Sequence, residues 1–280
     1  MSGERISELV VARRAMACEF SVTFPAETRG GVEAGCAALD EVERLEAVLS
    51  VFREDSEIAG LNRGVGAVSA EVYELLRWSA RLAAATGGAF DAATGALVQL
   101  WRAGRLPAAS EVAEALGRSG SRLVVFRDGS IEFLRPGVQF NLGAIGKGFA
   151  IDSALRRIRP SRALMQGGRS SLRAVGEWTV EIGEPAFARL RLRDRAMGTS
   201  AATYQPRHIL DPRTGWPARG VLSATAVAPT ATEADALSTA FYVMGPAATR
   251  RFCEANPRFG AVLLLPDRRV EGIGNVEAMR

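Results

Sequence analysis

Between Gly31 and Ser50, apolar residues recur at Val32, Cys36, Leu39, Val42, Leu45 and Val48 or Leu49, with charged residues between them. That spacing predicts an amphipathic helix. A second helix is expected from about Ser69 to Ala85, with Val72, Leu75, Leu76 and Leu82 inward, stopped by Thr86-Gly87-Gly88. Ser110 to Leu116 reads as a short helix, and a further one carries Ile151, Leu155 and Ile158. Strand patterns appear over Val11 to Phe24, as one strand or a hairpin edge with Met16 near its middle. Others cover Ala163 to Met165, 171–175, 178–183, 188–193 and Ala261 to Leu265. Leu123 to Phe126 and Ile131 to Leu134 flank Asp128-Gly129, a strong hairpin signal. Helices and strands mix without regular alternation, so the expected class is α+β. Residues 1–280 read as a single domain of two intimately packed halves, with no repeat or long linker.

The last third holds the most informative stretch, His208 to Gly245. It opens on the only histidine of the chain, followed by a rigid turn at Asp211-Pro212 and Thr214-Gly215. Val221 to Ala228 alternates like a half-buried strand, and Pro229 ends it. A helix then opens at Thr232-Glu233-Ala234-Asp235, with Leu237, Phe241 and Met244 on one side, and a short helix follows at about 246–255. Asp235 and Thr239 are one helical turn apart, and a carboxylate and hydroxyl so placed can share a hard cation such as magnesium. The competing structural reading makes Thr232-x-x-Asp235 a capping box and lets Thr239 bond back to the preceding turn.

Composition narrows the choice of partner. The net charge of +4 comes from scattered arginines with no basic run interleaved with aromatics, which argues against nucleic acid. No apolar run approaches the roughly eighteen residues of a membrane span. The amino-terminal stretch, broken by Arg13 and Arg14, has no signal-peptide core, so a cytoplasmic protein is expected. Cys18, Cys36 and Cys253 are widely spaced among apolar residues and read as buried free thiols. The 35 basic residues include one lysine, Lys147, within the glycine-rich turn from Asn141 to Gly148. That turn is not a P-loop: Asn141 replaces the first glycine, and Gly148 stands where a magnesium-binding hydroxyl belongs. Its amides can still hold phosphate oxygens at a helix start.

Read together, the motifs N-L-G-A-I-G-K-G-F-A-I-D, Q-G-G-R-S-S-L-R-A-V-G, H-I-L-D-P-R-T-G-W-P and A-D-A-L-S-T-A resemble the ApbE-like FAD:protein FMN transferase family. L-S-V-F-R-E-D-S-E-I-A-G-L-N at 49–62 and G-G-A-F-D-A-A-T-G-A-L-V-Q-L-W at 87–101 fall in matching order, so the resemblance covers nearly the whole chain. It implies an α+β fold with FAD in a cleft between two halves and Mg2+ at the pyrophosphate. Asp235 and Thr239 would be metal ligands, joined by the Ala144 carbonyl. Met16, Phe52, Ala89, Phe90, Asp91, Asn141, Lys147 and Ile209 would line the flavin nucleotide. The implied reaction moves FMN from FAD to a threonine or serine of a target flavoprotein and releases AMP. His208 or a metal-adjacent carboxylate such as Asp235 would take the hydroxyl proton.

Against the family pattern, Asn141 replaces an aspartate and Phe52 replaces an aromatic that commonly bears a hydroxyl. The loop from Ala201 to Arg207 looks shorter, and the export or lipid-anchoring signal carried by many members is not visible. Two other outcomes are consistent with these residues: an FAD pyrophosphatase yielding FMN and AMP, and a protein that holds FAD without reaction.

Overall fold

The computed structural model describes residues 7–202 and 207–279. β1 (Glu8–Ala15) and β2 (Cys18–Pro25) form a hairpin whose turn is Met16 and Ala17, both at positive φ. Then follow α1 (Gly31–Leu49), α2 (Glu57–Asn62), α3 (Ala70–Ala85), α4 (Gly95–Arg102) and α5 (Ala109–Gly117). The predicted hairpin is β3 (Val124–Arg127) with β4 (Ser130–Phe133). After α6 (Gly146–Ile158) come β5 (Ala163–Gly167), β6 (Ser171–Val175), β7 (Glu177–Ile182), β8 (Ala188–Arg193), β9 (Ala196–Ala201) and β10 (Ser223–Ala228). The chain finishes with α7 (Ala231–Ala255), β11 (Gly260–Leu264), β12 (Val270–Gly274) and β13 (Ala278–Met279). Gly245, at φ 67° and ψ −178°, breaks α7 before Pro246, so the expected short second helix exists as its outer segment.

Eight strands form the main sheet in the order β1-β2-β5-β6-β9-β10-β11-β12, and all its pairs are antiparallel. β13, β8 and β7 form a second sheet. The α+β expectation holds. α1, α6 and α7 cover one face of the main sheet, enclosing Phe20, Val22, Met165, Ala224, Ala226 and Leu263. Residues of opposite parity (Leu164, Leu172, Met197, Val227 and Val262) point the other way and pack with Val180, Ile182, Leu190 and Leu192 of the smaller sheet. β10 is therefore buried at all six positions, where alternation suggested a half-buried strand. Its fully buried Thr225 is satisfied within the sheet: Thr225 Oγ1 lies 2.9 Å from Thr199 Oγ1 on β9.

Two segments differ from their sequence patterns. The stretch expected to be polar loop after Phe52 contains α2, begun by Ser56, whose hydroxyl accepts from the Ala59 amide at 3.0 Å. Asn62, at its end, donates to the Phe140 carbonyl at 2.9 Å and accepts from the Phe140 amide at 2.7 Å. One side chain thereby holds the backbone that leads into the glycine-rich turn. β9 has no bulky alternation to reveal it, because its residues are small for a packing reason. A Cβ on Gly198 would lie 2.4 Å from the Ala234 carbonyl oxygen of α7. Of the cysteines, Cys253 is buried, while Cys18 and Cys36 are only partly so; all three are free. Among the described residues, no helix is long and apolar enough to cross a membrane.

Glu41 of α1 is buried, accepts from Ser153 of α6 at 2.7 Å and is gripped by Arg44. The Arg44 hydrogen bonds hold its carboxyl below the ordinary value of 4.5, with burial opposing them. The unfolded chain thus binds the proton more readily, and stability rises with pH across this interval. The contribution of Glu41 is complete above that ordinary value and is lost as pH falls through the lower folded one. Thermal unfolding between neutral and acid pH should show a shallower acid loss in Glu41→Gln than in the parent.

Gly198→Ala should cost about 1–3 kcal/mol through overpacking against α7. Gly117→Ala, at a helical position with open space beside it, should instead raise stability by about 0.5 kcal/mol. Urea denaturation of the two variants measures the contrast.

Candidate active site

A cavity of about 730 Å³ opens between α4, the start of α6, the end of β9, the segment from Arg207 to Pro212, and α7. Its geometry follows from how α6 and α7 meet. Each helix begins with amides that have no partner inside the helix, and each supplies a carboxylate to the other. Asp152 of α6 accepts from the Ala231 amide at 3.0 Å, the Thr232 amide at 2.9 Å and the Thr232 hydroxyl at 2.6 Å, and pairs with Arg173 at 2.5 Å. Asp235 of α7 accepts from the Gly148 amide at 2.7 Å and from the Ser171 hydroxyl.

The capping box expected at Thr232-x-x-Asp235 is displaced by two residues. Thr230 is the N-cap: its hydroxyl accepts from the Glu233 amide at 3.2 Å and donates to the Glu233 carboxylate at 2.9 Å. Asp235 is thus released from local capping and turned toward α6. Gly148 stands at the helix crossing, where a Cβ would lie 2.1 Å from the Ala231 carbonyl oxygen. That contact explains a glycine where a P-loop would carry a hydroxyl.

Burial pushes the Asp235 carboxyl above the usual carboxylate range, and nearby Asp152 adds to the rise. Lys147, the Ser171 hydroxyl and the Gly148 amide oppose it. Such a carboxylate is stabilised by any further positive charge in the cavity.

The opposite wall is a tight turn. Asp211 accepts from the Arg213 amide at 2.9 Å and from its guanidinium at 2.8 Å, while the Gly215 amide returns to the Asp211 carbonyl at 2.8 Å. Gly215 is at φ 76°, and a Cβ there would lie 2.8 Å from Val112 and 3.0 Å from Leu97. Trp101 of α4 clasps the turn, donating to the Gly215 carbonyl at 2.9 Å and meeting Trp216 edge to face. The effect is to hold His208, Ile209 and Leu210 in the cavity wall.

Of the residues singled out by sequence, Phe90, Asp91, Asn141, Ala144, Lys147, His208, Ile209, Asp235 and Thr239 all line this cavity. Asn141 Oδ1 accepts from the Gly143 amide at 3.0 Å, shaping the turn, and Lys147 Nζ donates to Ser170 Oγ at 2.6 Å. The Asp91 carboxylate is engaged with Ser121, at 2.7 Å to its amide and 2.6 Å to its hydroxyl. Met16, Phe52 and Ala89 are not among the lining residues. Ala89 is fully buried, Met16 sits partly buried in the β1–β2 turn, and Phe52 is 75% exposed. Arg102, itself in the wall, lies over the Phe52 ring at 4.9 Å, which puts Phe52 one side chain outside the cavity. The shortened loop expected between Ala201 and Arg207 falls mostly on residues 203–206, outside the described residues.

Sequence reasoning missed a set of hydroxyls: Ser170, Thr199, Ser200 and Ser238 share the wall with Thr239. Thr239 does not bond back to its preceding turn; Ser238 does, donating to the Asp235 carbonyl at 2.8 Å. No periodicity marks these positions; Thr199, Ser200 and Ser238 converge because β9 runs beside α7, and Ser170 joins them from the turn before β6.

Among the described residues, no three His, Cys, Asp or Glu side chains cluster as a metal group. Among the lining residues, the Asp235 carboxylate, the Thr239 hydroxyl and the Ala144 carbonyl offer oxygen donors only. That suits a hard ion such as magnesium, which keeps water or takes phosphate oxygens for its remaining positions. The residues present fit that ion and argue against a soft one.

Comparison with known proteins identifies the family. Residues 16–263 match the model of the ApbE family. The FAD:protein FMN transferase of Treponema pallidum is 32% identical over 290 aligned positions, covering 86% of this chain and 80% of that protein. An FAD:protein FMN transferase of Klebsiella pneumoniae is 28% identical, covering 73% of each. The crystal structure of an ApbE protein from Thermotoga maritima superposes with a TM-score of 0.86 at 27% identity, covering 95% of this chain and 97% of that one. The chain belongs to the ApbE family, and it is an enzyme of the transferase class.

Asp152→Ala should cost on the order of 3–5 kcal/mol, because it strands Arg173 and takes the acceptor from the buried Ala231 amide and the part-buried Thr232 amide together. Asp152→Asn, which keeps an acceptor, should cost less. Urea unfolding curves of the two variants measure the difference.

Proposed function

We propose that this chain transfers the FMN moiety of FAD to a threonine or serine hydroxyl of a target flavoprotein, releasing AMP, with magnesium required. The observation that carries the reading is the convergence of Asp235, Thr239, Ala144, Lys147 and His208 on one cavity. The FAD:protein FMN transferases to which the chain is similar supply the reaction class. In the transfer, the acceptor oxygen bonds to the phosphorus that bears riboflavin, the bond from that phosphorus to the AMP oxygen breaks, and the acceptor proton goes to a base.

Asp235 and Thr239, with the Ala144 carbonyl, would hold the magnesium. When bound, the ion supplies neutralisation of charge on the pyrophosphate. Lys147 adds a compact ammonium beside Asp235. His208, on the rigid turn opposite, is the nitrogen base of the cavity and takes the acceptor proton. Asn141 contributes an amide where relatives of the usual pattern carry a charge, so it binds without adding to the negative charge around the pyrophosphate.

Purified protein incubated with FAD, magnesium and an acceptor flavoprotein domain should give an acceptor heavier by one FMN, with AMP released, by chromatography and intact mass. Asp235→Ala should lose both products. FMN and AMP without labelled acceptor would point to a pyrophosphatase, and unreacted bound FAD to a holder. His208→Ala should slow transfer by about 100-fold or more; near-parental turnover would remove histidine from the mechanism.

A further inference from the structure

Three hydroxyls beside Asp235 form a chain whose proton directions follow from its closed end. Ser238 Oγ lies 2.8 Å from the Asp235 carbonyl oxygen, which can only accept, so Ser238 donates its single proton there. Ser200 Oγ is 2.9 Å from Ser238 Oγ, and with the Ser238 proton committed, Ser200 must be the donor in that contact. Ser200 Oγ is also 3.1 Å from Thr239 Oγ1. Its only proton is already spent on Ser238, so Thr239 donates to Ser200. With its proton held toward β9, the Thr239 oxygen has only acceptor capacity left for the cavity that it lines with Asp235.

We infer that Ser200 is a positioning residue, orienting the Thr239 hydroxyl so that it presents lone pairs to the divalent cation. The inference rests on the magnesium reading above. It assigns a purpose to a strand residue that neither periodicity nor charge would mark. Ser238 acts one step further back: it occupies the Asp235 carbonyl that Thr239, four residues on, would otherwise bond. Without Ser200, the Thr239 proton is free to turn into the cavity and compete with a cation for the oxygen.

The test is a titration of FAD-loaded protein with Mn2+, read by electron paramagnetic resonance of the free ion. Parent protein should show one site that Asp235→Ala abolishes. Ser200→Ala should weaken that site by about 10-fold or more, the range expected for a group that orients a ligand. FAD affinity without metal and melting temperature, measured on the same variant, separate loss of the cation from loss of flavin or fold. Ser200→Thr, which returns the hydroxyl, should restore the affinity. Ser238→Ala, which leaves Ser200 and Thr239 in place but frees the Ser200 proton, should weaken binding by less. Parental Mn2+ affinity in Ser200→Ala would overturn the inference while leaving the magnesium reading intact. Absence of an Asp235-dependent site in the parent protein would overturn both.

Discussion

The structure turns on two aspartates that exchange helix starts. An α-helix begins with amide groups that need acceptors, and the usual solution is a local cap. Here Asp152 of α6 serves the first amides of α7, and Asp235 of α7 serves an early amide of α6. The exchange requires the two backbones nearly to touch, which Gly148 allows on one side and Gly198 allows where β9 passes α7. The two carboxylates then have different fates. Asp152 is saturated by two amides, a hydroxyl and a guanidinium. Asp235 makes fewer bonds and borders the cavity. Fold and chemistry meet in that asymmetry.

A buried carboxylate is costly unless positive charge or hydrogen-bond donors surround it. Around Asp235 these are one ammonium, one amide and one serine hydroxyl, and burial still leaves the carboxyl above its ordinary range. The surroundings of Asp235 therefore leave its charge only partly compensated. A divalent ion there would complete that compensation while tolerating the neutral hydroxyl and carbonyl of the proposed ligand set. The rigid turn at Asp211 to Gly215 has a separate task. It carries no charge into the cavity, but its clasp by Trp101 keeps the histidine face opposite the acid.

Much of the fold was legible wherever one face of an element meets solvent. α1, α3 and the β3–β4 hairpin announce themselves because charge alternates with apolar residues at a single period. Legibility fails where burial is two-sided or where backbones touch. β10 is apolar or small throughout because sheets and helices enclose both its faces, and β9 is small because α7 presses on it. β12, at the sheet edge with Gly272 and Gly274, has too little side chain to show a pattern. The same holds for the site. His208 and Lys147 could be picked out by singular residue type, Asp235 and Thr239 by helical spacing, and Asn141 by the family resemblance, and they do meet. Capping could not be assigned to Thr230 rather than Thr232, since both precede an acid by three residues and only Asp152 decides between them.

The arginine-rich composition has a consequence for chemistry at the surface. With 35 basic residues and Lys147 the only lysine, the chain has one side-chain amine, and it lies in the cavity wall. Acylating or reductively methylating reagents, which usually report an average over many surface sites, would here meet a single interior address apart from the α-amine. Isotope placed on that methylated nitrogen would give one resonance, whose shift would report on occupancy of the cavity. Evolution's preference for guanidinium elsewhere has left this protein with a built-in spectroscopic label.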